Sequence, residues 1–364
     1  MMKTMNAVLG AAAACLFAGA AHAQVPAGYP ADYQKLVDAA KKEGKLVVYG
    51  ATDSKATQPL IRDFSALYPG ITVEYNDMNS TEVYNRFISE KAAGGNTADV
   101  MWSSSMDLQI KLAVEGYALQ YKSVETPNIP GWAVWDAKAY GTTFEPAAIV
   151  YNKRLLAANE VPATHDDFVR LIQQPKFRDK ITTYDIEKSG VGFMFMTHDA
   201  QLYPKFAELQ KAFGVARVRV QSSTGTMMER ISSGENLIGY NVLGSYALVR
   251  AKTDPSIGVV LPKDYTQIMS RVIFINKAAK NANAAKLWLD YMLSKRGQTV
   301  IANGSKLYAI RADVTGETTS ADLIKQIGKD NVKPVPVHPD LLKDLVPAKR
   351  MAFLKAWKET AGKK

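Results

Sequence analysis

Short apolar runs alternate along this chain with longer stretches in which apolar residues recur every three or four positions. Residues 46–49 (LVVY), 99–102 (DVMW), 147–151, 181–184 and 237–240 are of the first kind, and Ile71, Val73 and Tyr75 alternate. Runs of this length bounded by polar turns predict buried strands. Helical stripes lie between them: Tyr33, Leu36, Val37 and Ala40 within 30–43, then Leu60, Ile61, Phe64 and Leu67, then Val83, Phe87 and Ile88. Strand, short polar loop and helix thus follow one another three times before residue 106, the order of an α/β protein with mostly parallel strands.

Pro127, Pro130 and Gly131 interrupt this rhythm, and after 142–144 a second α/β unit begins. It is expected to hold a helix over 165–173, a strand over 181–184, and a loop at 185–189 that opens a helix carrying Gly190 and Gly192 in its first turn. Glycine has no helical merit there, so either something approaches the backbone closely or the helix packs tightly on its strand. Residues 257–261 and 272–275 predict strands returning to the first lobe. Residues 284–292 form an amphipathic helix, and 339–357 a last amphipathic segment that Pro347 kinks or divides.

The stretch 221–250 (QSSTGTMMERISSGENLIGYNVLGSYALVR) concentrates the polar chemistry. Ser222, Ser223, Thr224 and Gly225 precede a short helix whose start Thr226 and Glu229 would mark as a capping box. Ser233 and Gly234 stop it, a strand follows, and Asn241 is expected to open the next helix through Gly244, Ser245 and Tyr246. Helix starts present unpaired N–H groups, which suits holding an anion. In open α/β sheets ligands bind beyond the carboxyl ends of the strands. The loops there, 52–54, 79–81 and 103–105, are rich in hydroxyls and amides. Each residue taken singly is also an ordinary helix cap.

Composition narrows the class. The first 23 residues combine Lys3, an apolar run and Ala21-His22-Ala23, a secretory signal peptide with cleavage after Ala23. Cleavage would remove Cys15, the one cysteine, and leave 44 basic against 35 acidic residues. A basic balance favours anionic ligands and is also common on exported proteins. The lysines are scattered without aromatic interleaving, so no nucleic-acid partner is expected. No nucleophile elbow, zinc-protease helix or phosphate-binding GxxxxGK[ST] loop occurs, and Phe195 stands where a dinucleotide fingerprint after Gly190 and Gly192 needs its third glycine. No catalytic residue, cofactor or metal is therefore expected.

The segments LVVYGATDS (46–54), PGITVEY (69–75), ADVMWSSSMD (98–107), IVYNKRLL (149–156), ISSGENLIGYN (231–241) and AAKLWLDYMLSKRGQ (284–298), in this order, resemble the periplasmic extracellular solute-binding proteins of ABC importers, in the iron(III)-type subgroup. The resemblance implies a monomeric, periplasmic, two-lobed fold. Each lobe would be a mixed, mostly parallel sheet flanked by helices, the two joined by a two-strand hinge. Lobe 1 would comprise 24–145 and 268–312, and lobe 2 146–267 and 313–364. It also implies an inner-membrane permease as partner and an anion held by residues corresponding to Ser189, Gly190, Ser223, Thr224 and Asn241. The ferric branch has adjacent tyrosines shortly after that asparagine; here the stretch is Asn241-Val242-Leu243-Gly244-Ser245, and Tyr246 alone cannot build an oxygen-rich shell for a hard cation.

The expected ligand is a small anionic organic solute: an organic phosphate, phosphonate or carboxylate. Thr52, Ser54, Ser104 and Ser105 would reach it from lobe 1. Ser189, Gly190, Ser223, Thr224, Asn241, Ser245 and Tyr246 would do so from lobe 2, with Thr143 at the hinge. Two alternatives are ferric ion bound through a carrier anion and, in another class, a periplasmic hydrolase of a phosphate ester.

Overall fold

The computed structural model describes residues 25–361 apart from 27 and 96, so the signal peptide and its cleavage site lie outside the described residues. The first lobe is built on strands β1 (Lys45–Gly50), β2 (Thr72–Asp77), β3 (Val100–Ser103), β4 (Val134–Trp135) and β5 (Ala139–Gly141). The second is built on β6 (Glu145–Asn152), β7 (Ile181–Tyr184), β8 (Arg219–Gln221), β9 (Ile238–Leu243), β10 (Ile257–Val260) and β11 (Thr266–Met269). Strand β12 (Val272–Ile275) returns to the first sheet, and β13 (Val332–Pro334) closes the edge of the second.

The first sheet runs β2-β1-β3-β12-β5-β4 and the second β13-β11-β6-β9-β7-β8, with β10 paired to β6. Both are mixed. The parallel pairs β1–β2, β1–β3, β7–β8 and β7–β9 belong to the strand-loop-helix units. Most antiparallel pairs come from strands flanking the crossings between lobes, among them β3–β12, β5–β12 and β6–β11. Strand β10, expected in the first lobe, instead pairs antiparallel with β6 in the second, so only β12 returns.

Helices α1 (Tyr33–Glu43), α2 (Ser54–Leu67), α3 (Ser80–Ala92) and α4 (Met106–Val114) cover the first sheet together with a later helix. The second carries α5 (His165–Ile172), α6 (Gly190–Leu202), α7 (Phe206–Ala216), α8 (Thr224–Ser232) and α9 (Gly244–Thr253). The chain ends through α10 (Ala282–Leu293), α11 (Lys295–Val300), α12 (Ser320–Ile327) and α13 (Pro347–Thr360). The amphipathic stripes do what their spacing requires: Leu60 and Phe64 of α2 are fully buried and meet Trp288 of α10, with the Phe64 and Trp288 rings edge to face at 4.9 Å. At the start of α3 the capping box is complete: the Asn79 side chain accepts from the Thr81 and Glu82 amides, and Glu82 accepts from the Asn79 amide.

Three local expectations are corrected. Helix α8 is capped by Ser223, which accepts from the Thr226 amide, so the turn starts at Thr224 and Thr226 with Glu229 is not the cap. Strand β9 runs on to Leu243 because its whole length is buried, and the next helix opens at Gly244 rather than at Asn241. The terminal amphipathic segment is two helices, a 3-10 turn at Pro339–Asp344 and then α13, with Pro347 in the first turn, where its missing N–H leaves nothing unpaired. The first of these packs on α4, so this part of 313–364 rides on the first lobe.

That packing encloses Asp107 in the first turn of α4. Its side chain is buried and accepts from the Leu108 amide at 2.8 Å. Burial pushes its carboxyl from 3.8 up to about 7. Folding therefore favours the protonated acid, and the associated stability is lost as pH rises through about 7. An Asp107→Asn variant is expected to gain stability over the parent progressively between pH 4 and 7. Calorimetry across that range checks it, and a pH-independent difference would refute it.

Candidate functional site

Three connections cross between the sheets: the short segments 142–144 and 270–271, and the longer one from α11 to β13. A buried polar network binds the two short ones. Arg271 donates through Nε to Glu145 Oε1 at 2.6 Å and through Nη2 to Oε2 at 3.2 Å, both side chains being fully buried. Its Nη1 reaches Ala51 O and Thr52 Oγ1, each at 3.0 Å. Thr143 donates to Glu145 Oε1 at 2.8 Å and accepts from the Arg271 amide at 2.9 Å, while the Ser245 hydroxyl donates to Glu145 Oε2. The crossing segments, the loop after β1 and the start of α9 are thereby fixed to one buried ion pair.

In front of this network, a cavity of about 290 Å³ opens between the lobes. One wall is the second lobe's: Tyr184, Ser189, Val191, Ser222, Ser223, Thr224, Gly225 and Tyr246. The facing wall is Ala51, Asp53, Asp77, Met78, Asn79, Ser80 and Ser104. The second-lobe wall is made by the first turns of α6 and α8. Ser189 caps α6 by accepting from the Gly192 amide, and Ser223 caps α8. The Val191, Thr224 and Gly225 amides find no acceptor among the described residues. They present partial positive charge towards the cavity. The Thr224 hydroxyl is hydrogen-bonded to the Tyr184 hydroxyl, which fixes its rotamer.

Across the cavity, Ser54 donates from its amide and its hydroxyl to Asp77 Oδ2, at 2.7 and 2.9 Å. The Asp53 amide donates to the Tyr246 hydroxyl at 3.3 Å. Burial raises the Asp53 carboxyl above its ordinary range; Arg271 opposes this and Asp77 adds to it.

Of the residues singled out in the sequence, Ser104, Ser189, Ser223, Thr224 and Tyr246 line this cavity together. Thr52, Thr143 and Ser245 belong to the Arg271–Glu145 network behind it, and Ser54 is held by Asp77. Asn241 is not at a helix start: it sits in β9 with φ +56°, beside the register shift of the β6–β9 pairing, and its amide donates to Asp199 Oδ2 at 2.7 Å. Asp199 is buried and also accepts from Tyr240, Tyr265 and Gln267, so Asn241 is part of the second lobe's interior. Gly190 meets the other lobe. A Cβ there would lie 2.0 Å from Ser105 Oγ, and its amide donates to Thr81 Oγ1 at 3.0 Å. What approaches Gly192 is its own strand, since a Cβ would lie 2.3 Å from the Tyr184 Cβ.

Asp53, Asp77, Arg271 and Glu145 also belong to the site, and no motif in the sequence marks them. The two aspartates stand just after β1 and at the end of β2, where ligand loops were expected. Arg271 was visible as a lone charge between the apolar segments 268–269 and 272–275. Among the described residues no group of three or more His, Cys, Asp or Glu side chains could hold a metal ion.

Two lobes joined by crossing segments of the chain and enclosing a cavity lined by hydroxyls and carboxylates define a solute-binding protein of the two-lobed periplasmic type. The family of bacterial extracellular solute-binding proteins matches residues 50–299, and the chain belongs to it. The substrate-binding protein of an ABC transporter from Agrobacterium tumefaciens is 39% identical, with a TM-score of 0.82 and coverage of 87% of this chain and 94% of that one. The same fold is seen in AfuA from Actinobacillus pleuropneumoniae, solved with exogenous fructose-6-phosphate bound (TM-score 0.72, 20% identity, 88% and 99% covered). It is seen again in iron-bound HitA from Pseudomonas aeruginosa (0.69, 15%, 87% and 99%). The protein is thus the substrate-binding component of an ABC transporter, a periplasmic transport protein of a family that is not one of enzymes, and it delivers its ligand to a membrane permease.

Proposed function

We propose that the protein captures a small anionic organic solute, an organic phosphate, phosphonate or carboxylate, by closing its lobes on it. The observation that carries this reading is the convergence of the α6 and α8 starts, with unpaired amides at Val191, Thr224 and Gly225, on one interlobe cavity. Backbone amides and short hydroxyls hold an anion without titrating and without a counter-ion that must be desolvated. AfuA, with fructose-6-phosphate bound, is a precedent for a phosphate ester on this fold.

In this reading lobe 1 (24–145 and 268–312) and lobe 2 (146–267 and 313–364, except the turn Pro339–Asp344 that rides on α4) move about residues 142–144 and 270–271. The solute favours the closed form because only there does it touch both walls. A Thr224→Leu variant places an apolar side chain over the free amides. It should fold, but lose the thermal stabilisation that saturating n-propyl phosphate gives the parent, about 2.7 kcal/mol at one hundred times Kd. An unchanged ligand-induced shift would place the anion elsewhere.

A further inference from the structure

The two walls of the cavity carry opposite chemistry. The second-lobe wall offers amides and hydroxyls, whereas the first-lobe wall offers two carboxylates. Among the described residues Asp53 has no side-chain hydrogen bond or ion pair, and Asp77 has only Ser54 on one of its oxygens. Among the described residues no Lys, Arg or His lines the cavity. The Arg271 guanidinium lies against the Tyr246 ring, with its charge committed to Glu145.

A solute that is only anionic would enter a space lined by two carboxyl groups that have no ion-pair partner among the described residues. Closing the lobes would then bring like charges together with less water between them, which is unfavourable. A neutral hydroxyl could donate to one carboxylate but would leave both charges uncompensated.

We infer that the solute is a zwitterion whose anionic end rests on the starts of α6 and α8 and whose ammonium group faces Asp53 and Asp77. The inference rests on the anion reading above and deepens it. The cavity's 290 Å³ is at the small end for ligand sites, so the two charges are separated by only a few bonds. Asp53 and Asp77 then set specificity, because a solute lacking the ammonium leaves them unpaired on closure.

The test is calorimetric titration with three phosphate esters of equal chain length: phosphoethanolamine, 2-hydroxyethyl phosphate and n-propyl phosphate. Phosphoethanolamine is expected to bind at least tenfold more tightly than the other two. In an Asp53→Asn, Asp77→Asn double variant that preference should vanish, while n-propyl phosphate binds as well as before or better. Asparagine keeps an acceptor for Ser54, so the fold is retained, and circular dichroism checks it. Equal binding of the three esters by the parent would overturn the ammonium inference and leave the anion reading standing. Failure of all three to bind, with Thr224→Leu indistinguishable from the parent, would overturn both.

Discussion

Replacing Arg271 with alanine is expected to destabilise the protein by about 3–5 kcal/mol, because Glu145 is then left ionised and buried without its counter-ion. For a chain of this size that corresponds to a fall in Tm of about 4–7 °C. The damage should be concentrated at the crossing segments, since Arg271 also donates to Ala51 and Thr52, and Thr143 and Ser245 both lean on Glu145. Removing both charges together, as Arg271→Met with Glu145→Leu, should recover a large part of the loss, since an apolar pair needs no counter-ion. Scanning calorimetry of the two single variants and the double gives the coupling directly. Additive effects would mean that the ion pair is not the unit that holds the crossings.

A Gly190→Val substitution should act on closure rather than on folding. Any Cβ at this position would lie 2.0 Å from Ser105 Oγ, 3.1 Å from Ser105 Cβ and 3.2 Å from Leu108 Cδ1, so the α6 start and the α4 start cannot keep their contact. Rotating the Ser105 hydroxyl removes only the first of these clashes, and valine adds two methyl groups. The lobes are held apart, and the solute then touches one wall only. Affinity is expected to fall on the order of a hundredfold, the share that contacts in the closed form alone can supply. Small-angle scattering should show the variant keeping the radius of gyration of the unliganded parent even at saturating solute. A Gly190→Ala variant, with the smaller side chain, should be rescued in part by Ser105→Gly. If Gly190→Val closes and binds like the parent, this contact does not limit closure.

The parts of this molecule that could be read in the sequence are those governed by local rules. Buried strands announce themselves as apolar runs, and 181–184 matches β7 to the residue. Asn79 and Glu82 at cap spacing produced the cap they suggest. Ser189 and Ser223 were recognisable because a helix start needs such a residue whatever else it does. At 224–229 the same rule misled, since several hydroxyls in a row offer more than one cap and the spacing alone does not choose between them.

Pairing across long distances in the chain left no such trace. Arg271 and Glu145 are 126 residues apart, and Asn241 meets Asp199 over 42. Asn241 looked like a helix cap because asparagine is a good one. In the fold it instead takes the left-handed backbone conformation at a strand irregularity, which asparagine tolerates better than most residues. Asp53 and Asp77 lay in or beside the loops where a ligand was expected. A search for anion donors passes over carboxylates, and only the facing walls show that both kinds of group share one cavity.

The most direct measurement is a crystal structure of the protein with the solute that accompanies it through purification. The account predicts the solute between the lobes, with anionic oxygens about 3 Å from the Thr224 and Gly225 amides. A solute bound outside this cavity, with those amides turned to water, would contradict it.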